Sequence, residues 1–410
     1  MQTHSFLPDG MSPIPENRRD GRTDREIAHM LCDYVPPTDS NKNVWAYWRS
    51  GFESMPPWTK RNVMNWVRLL HCSPAGRDPW TVRVLDSVPG SPNNVSRFID
   101  KSLLPASFQE QDMAGPYAGA HSADLVRLPL LHRYGGVWID VGTLLIRHLD
   151  DVWSIITDPA NPFELLGMAL ALRPGEEILV NPFLATTRGN EFLRRWHQIY
   201  LALWDQGGRS CDGFHANPLL RHLPLFQPPA GRGVPGIGKS PERYTDYLAH
   251  MLCGVRLRDL IDADDGFDGR LYYERHVCLL PALRELYYFP LRNGWDGRRE
   301  FDVLATRMDR TDEEARHARK LVRDTLQNSC MIKFSHGSRG SSTPWLAQLW
   351  TDPRNCDADV APGTLAEYLR LVALQAYQDR PLQPLPTRSL TTPTWTARLL
   401  EPLPMARELR

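Results

Sequence analysis

The chain has 410 residues, 42% apolar and 23% charged, enough to bury a large core and too ordinary in composition for global disorder. Lysine plus arginine equals aspartate plus glutamate, 48 of each, so no net basic field draws in nucleic acid or an anionic membrane surface. Seven scattered cysteines without a C-x-x-C pair make a poor framework for disulfides or zinc and suit reduced thiols.

Taken in chain order, residues 1–40 are broken by Pro, Asp and Arg and read as an N-terminal arm. They carry no apolar stretch of a signal peptide, and no run of about 18 apolar residues follows, so a cytoplasmic protein without a membrane span is expected. Val44–Trp48 reads as the first strand. Pro57 opens a helix to about Leu70, with Val63, Trp66, Val67 and Leu70 on one face. Thr81–Asp86 alternates as a second strand. A helix over Ala118–Tyr134 leads through Gly135-Gly136 into the buried-type strand Val137–Asp140. Further strands are expected at Phe163–Ala169 and Glu177–Thr186, with a helix at about Glu191–Trp204.

This alternation predicts an α/β fold, a mixed and mostly parallel sheet flanked by helices. In such sheets ligands bind beyond the carboxyl ends of the strands, which is where Asp140 falls. Gly, Pro and polar residues from Asp212 to Gly269 suggest an irregular insertion at 211–270, with a helix from about Glu242 to Leu252. A charged helix at about Asp312–Gln327 precedes a late strand, Met331–His336. Residues 351–410 read as a C-terminal helix and an extended Pro-rich tail.

The chemistry concentrates in residues 121–142. Gly135-Gly136 permits a sharp turn from helix to strand, because glycine has no Cβ to clash. Asp124 and Arg127, three residues apart on the preceding helix, share one face and pair an acceptor with a bidentate donor. Taken singly, these residues read more readily as a surface ion pair and a capped turn, but the combination is much less common by chance.

The stretch HSADLVRLPLLHRYGGVWIDVG resembles the (S)D-x-x-R…(Y)GG-x-(Y/W)-x-D-x-D signature of the DXD-containing sugar transferases. That group includes the capsular-polysaccharide-synthesis-type proteins, the initiating mannosyltransferases of the fungal Golgi and, distantly, glucosylating bacterial toxins. Asp124, Arg127, Tyr134-Gly135-Gly136, Trp138 and Asp140 match. Upstream, Val44–Gly51 with Pro56 resembles the family's nucleotide-binding edge. Downstream, IKFSHG (Ile332–Gly337) with Trp345 resembles the segment that closes the active site. The resemblance implies a GT-A fold over residues 41–350 and a nucleotide-diphosphate sugar donor. It also implies transfer with retention of configuration, and a Mn²⁺ or Mg²⁺ ion. By the same likeness Asp124, Arg127 and Asp140 would be the catalytic set. Trp45, Trp48, Gly136, Lys333, His336 and Arg339 would line the donor site beside them, with Asp140 and His336 on the metal. The acceptor stays open between a glycan, a lipid and a small secondary metabolite.

The pattern breaks at Asp140-Val141-Gly142. Glycine stands where the second aspartate of D-x-D would ligate the metal, and a hard cation needs oxygen ligands. Asp150 and Asp151 follow but read as a helix N-cap. The metal is then held weakly, or is dispensable, or the fold has lost catalysis and serves as a binding protein. Lys333 and Arg339 could neutralise a pyrophosphate if no metal binds. A separate stretch, GVPGIGKS (Gly233–Ser240), matches a phosphate-loop pattern formally. The Pro-rich PLFQPPAGR before it cannot be the central strand that such a loop needs, so a nucleotide hydrolase is disfavoured. The resemblance to the sugar transferases, where a comparable Gly-Pro turn and helix lie on the acceptor side, instead implies that Ser240 and the helix after it border the acceptor pocket.

Overall fold

A capping box starts the first helix in a region whose sequence suggested only an arm. In the computed structural model, which describes residues 7–71, 79–227, 238, 240–334, 344–386 and 389–404, β1 (Met11–Pro13) is followed by α1 (Asp24–Cys32). The Thr23 hydroxyl accepts from the Glu26 amide while the Glu26 carboxylate accepts from the Thr23 amide. Only Ile27 and Leu31 of α1 are buried, so its period is easily missed. β1 pairs antiparallel with a late strand, Ala376–Gln378, which ties the two ends of the chain together.

The body follows as β2 (Asn43–Tyr47), α2 (Pro57–His71), β3 (Thr81–Leu85), α3 (Ala106–Gln109), α4 (Ala118–Tyr134), β4 (Gly136–Ile139), β5 (Thr143–Leu145) and α5 (Leu149–Thr157). Next come β6 (Leu165–Arg173), β7 (Glu176–Thr186), α6 (Glu191–Gly207), α7 (Pro241–Tyr247), α8 (Ala249–Arg258), β8 (Leu260–Asp262), β9 (Val277–Pro281) and β10 (Met331–Lys333). Among the described residues the main sheet runs β3-β2-β4-β7-β6-β9. Strands β3, β2 and β4 are parallel, β4, β7 and β6 alternate in direction, and β9 lies parallel to β6. The fold is therefore α/β with a mixed sheet. Pro174-Gly175 alone links β6 to β7, which forces an antiparallel return because a parallel crossover needs a dozen or more residues.

Helix α4 packs on β2, β4, β7 and α6, and α2 packs on β3 and β5. Trp45, Trp66, Trp138 and Trp196 are fully enclosed in this core. Pro129 sits inside α4 and forfeits an intrahelical bond at a cost of about 3 kcal/mol. Burial of Leu125, Val126, Leu128, Leu130 and Leu131 around it offsets that, at roughly 1.5–3 kcal/mol per large apolar side chain. A second apolar cluster (Trp58, Leu144, Phe334, Trp350 and Val372 among others) lies where β5 and β10 pair antiparallel outside the main sheet.

The 211–270 segment, expected to be irregular, holds α7 and α8, with the single expected helix broken at Leu248. Helix α8 is buried on almost every side against α6 and β7, so it shows no amphipathic stripe for a sequence reading to find.

Candidate active site

Asp140 follows directly on β4, at its carboxyl end. The strand starts at Gly135-Gly136, with φ of +63° and +105°. A Cβ on Gly136 would lie 2.1 Å from the Asn43 carbonyl oxygen, and one on Gly135 would lie 2.5 Å from Asn41 Oδ1. Two glycines are what allow α4 to turn into a strand this close to β2. From β2 the chain goes outward to β3, whereas β4 continues into the opposite half of the sheet. The crevice between the carboxyl ends of β2 and β4 is thus a topological switch point, the place where open α/β sheets take ligands. The β2–β4 register, Val44 to Val137 and Trp45 to Trp138, continues to set Tyr47 level with Asp140 and Trp48 just beyond.

Asp140 is held from three sides. Trp138 Nε1 donates to Oδ1 at 2.8 Å, Arg127 reaches the same oxygen at 3.5 Å, and Lys333 Nζ lies 2.5 Å from Oδ2. Burial opposes its ionisation, but the Lys333 ammonium and the Arg127 guanidinium outweigh it and hold the carboxyl below the usual carboxylate range. Arg127 also pairs with Asp124 at 2.8 Å, lies 4.9 Å from the Trp138 ring centroid and donates to the Asn181 carbonyl. Asp124 is completed by Asn181 Nδ2 at 2.9 Å and by His121 at 3.5 Å. Burial again opposes its charge, and Arg127, with His121, keeps it ionised far below the usual range. His121 loses charge stability by burial, yet its bonds to Asp124 and Cys211 lift its pKa to about 9. Asp124 and Arg127 act mainly on one another and on Asp140. Asp140 and Lys333, each with a side chain 23% accessible, are the exposed part of the cluster.

The loop after Asp140 is fixed by α2. Asn62 Nδ2 donates to the Val141 carbonyl and Trp66 Nε1 to that of Thr143. Phe334 N donates to the Gly142 carbonyl and Lys333 N to that of Leu286, so β10 brings Lys333 up against this loop.

Some expected site residues fall elsewhere. Trp45 is a core residue: its ring lies between Phe98 and Tyr134, and its indole N–H bonds the Gly135 carbonyl, at the opposite end of β4 from Asp140. Gly136 serves the approach of two strands, with its missing side chain facing backbone. Trp48 is half-buried at the crevice edge. Asp150 and Asp151 lie in the first turn of α5 but do not cap it; His148 is the N-cap, and Asp150 instead binds Lys42 and Trp80. His336, Arg339 and Lys239 lie outside the described residues. Ser240 caps α7 by accepting from the Arg243 amide.

A divalent ion was expected on Asp140. Oδ2 is already held by an ammonium, Oδ1 accepts an indole N–H, and Gly142 supplies no side-chain oxygen. Among the described residues no group of three His, Cys, Asp or Glu is assembled to hold a metal. The described residues thus offer a hard cation, whose shell is built from oxygens, one carboxylate already paired with Lys333, and His336 lies outside them.

Three members of the network were not singled out from sequence: Asn181, His250 and His121. The β6–β7 register shifts between Gly167 and Met168, leaving Asn181–Phe183 as a bulge that turns Asn181 toward Asp124. Asn181-Pro182 inside an otherwise apolar strand was the available signal, since Pro in a strand interior marks a bulge. The freed Pro182 carbonyl accepts from the Asp140 amide. His250 arrives on α8, with Nδ1 2.9 Å from Asn181 Nδ2.

In open α/β sheets the switch point between strand ends is where ligands bind, and here a charged cluster stands at it. Residues 22–223 match the family model described as capsular polysaccharide synthesis protein. The O-glycosyltransferase PaGT of Phomopsis amygdali is 42% identical over 402 residues, 97% of either chain. The O-glycosyltransferase braB of Annulohypoxylon truncatum is 43% identical over 92% of this chain and 90% of its own. The glycosyltransferase afumC of Aspergillus fumigatus is 42% identical over 91% and 95%. Among solved structures, the PaToxG glycosyltransferase superposes loosely, with a TM-score of 0.25 at 14% identity over 45% of this chain and 69% of its own. The chain belongs to this family of glycosyltransferases. No helix among its described residues is long and apolar enough to cross a membrane.

Proposed function

We propose that the chain moves a hexose from a nucleoside-diphosphate donor to a hydroxyl oxygen of an acceptor, with retention of configuration, in a site of GT-A type. The observation that carries this reading is the Asp140–Lys333 pair, partly exposed at the switch point between β2 and β4. A nucleotide laid across that crevice meets Tyr47 and Trp48 on one side and Asp140 on the other. The Asp140 carboxylate accepts from donor hydroxyls, and its position is fixed by Trp138 and Arg127. The leaving group is a diphosphate, so stabilising its developing charge is the protein's main task. Two of the relatives are named O-glycosyltransferases, which supports an oxygen acceptor. The α7 side, beginning at Ser240, is the proposed acceptor border.

Calorimetry with a panel of nucleoside-diphosphate sugars tests the donor. One donor is expected to bind with micromolar affinity, and Asp140→Asn to lower transfer by about a hundredfold or more. No affinity for any donor up to millimolar concentration would sink the reading.

A further inference from the structure

We propose that the Lys333 ammonium takes the place of a divalent ion in this site and neutralises the departing diphosphate. The inference rests on the donor reading above and goes further, to how the leaving group is handled.

The geometry at Gly142 carries it. Strand β10 pairs with β5 so that Lys333 stands opposite Thr143, and Phe334 donates its amide to the Gly142 carbonyl. The cation is thus delivered beside Gly142, which has no side-chain oxygen where the D-x-D pattern that the stretch resembles has a carboxylate. The charge balance is conserved in the exchange. Two carboxylates and a dication sum to zero, and so do Asp140 and Lys333. A Lys ammonium has three donors. One is directed to Asp140 Oδ2 at 2.5 Å, and the partly exposed side chain leaves others for a phosphate oxygen. Asp140 stays compensated meanwhile, because Trp138 and Arg127 hold its other oxygen.

In the transfer step the bond between the sugar C1 and the β-phosphate oxygen breaks, its electron pair leaving with that oxygen. The acceptor oxygen bonds to C1, and its proton passes to the departing phosphate oxygen. Atoms and charge balance without a further reactant. Lys333 is held in place for this by its backbone bond to Leu286 and by the β5 ladder, so little reorganisation accompanies the developing charge.

The test titrates UDP, GDP and the matching nucleoside monophosphates into the full chain, with EDTA and with Mn²⁺, beside transfer assays under both conditions. The wild type is expected to bind one diphosphate and to turn over in EDTA. Lys333→Ala is expected to weaken the diphosphate roughly ten- to hundredfold while leaving the monophosphate nearly unchanged. Lys333→Arg should recover part of the loss. Because a Cβ on Gly142 would make only ordinary contacts, at 3.4 Å and beyond, Gly142→Asp combined with Lys333→Ala should bring back binding in Mn²⁺ but not in EDTA. A wild type that binds diphosphate only with Mn²⁺ would overturn the role of Lys333 and leave the donor reading standing. A wild type that binds no nucleoside diphosphate under either condition would overturn both. The wild-type comparison holds even if the Lys333 variants fail to fold.

Discussion

Asn181 donates its side-chain amide to Asp124 Oδ1 at 2.9 Å and, from the same nitrogen, faces His250 Nδ1 at 2.9 Å. A bulged strand residue thereby joins α4, which carries Asp124 and Arg127, to α8, which carries His250. Burial drives His250 down to a pKa of about 3, so it stays neutral and accepts at Nδ1. The Asn181 carbonyl takes an Arg127 N–H. One residue therefore positions both members of the pair beneath Asp140.

Asn181→Ala should accordingly leave Asp124 and His250 each short of a donor, costing about 1–3 kcal/mol of stability. Transfer should fall further than the stability loss accounts for, since Asp124, the carboxylate that pairs with Arg127, loses the amide that positions it, although the main-chain carbonyl that accepts from Arg127 remains. Asn181→Asp should be worse, because it places a second carboxylate against Asp124. Urea unfolding read beside kcat checks this. Full activity in Asn181→Ala would show that Arg127 and Asp140 hold themselves.

Gly136→Ala should destabilise by on the order of 3 kcal/mol, from a Cβ driven onto the Asn43 carbonyl and a left-handed φ. Gly142→Ala meets only Phe334 O at 3.4 Å and Trp58 at 3.6 Å, with no left-handed backbone, and should stay within about 1 kcal/mol of wild type. Denaturant midpoints of the two variants separate the cases. Equal losses would contradict the division of roles between the two glycines.

Stability should peak near pH 6.5 and fall on either side. Burial holds His148, His197 and His222 near pKa 4 and His250 near 3, whereas each titrates near 6.5 when unfolded. Below 6.5 the unfolded chain binds more protons, so stability falls as pH drops, by on the order of 1 kcal/mol per site. Asp124 and Asp140, held below the usual range, add losses in the same direction at lower pH. His121 acts oppositely: its raised pKa of about 9 gives stability that is full below 6.5 and lost as pH rises through 9. Melting temperatures from pH 4 to 10 read both limbs, and His121→Gln should flatten the alkaline one. A profile unchanged between pH 7 and 5 would refute the assignment of neutral buried histidines.

Local chemistry determined what the sequence made legible. Helix α4 was readable to its ends, because Gly135-Gly136 stops it and the buried strand begins at once. Strands β2, β3 and β4 declared themselves by short apolar runs between turns, and Asp140 by its place after one of them. Lys333 came only with the family likeness of its segment. Tertiary structure decided the rest, since direction and partnership are properties of elements that meet across long stretches of chain. Trp45 and Trp48 look alike in sequence; strand register sent one into the core and left the other at the crevice. Asn181 had no reason to face Asp124 until a bulge turned it, and His250 reached it on a helix too thoroughly buried to show a period. Lys333 sits 193 residues from Asp140, and only the β5–β10 ladder brings its charge to the gap left at Gly142.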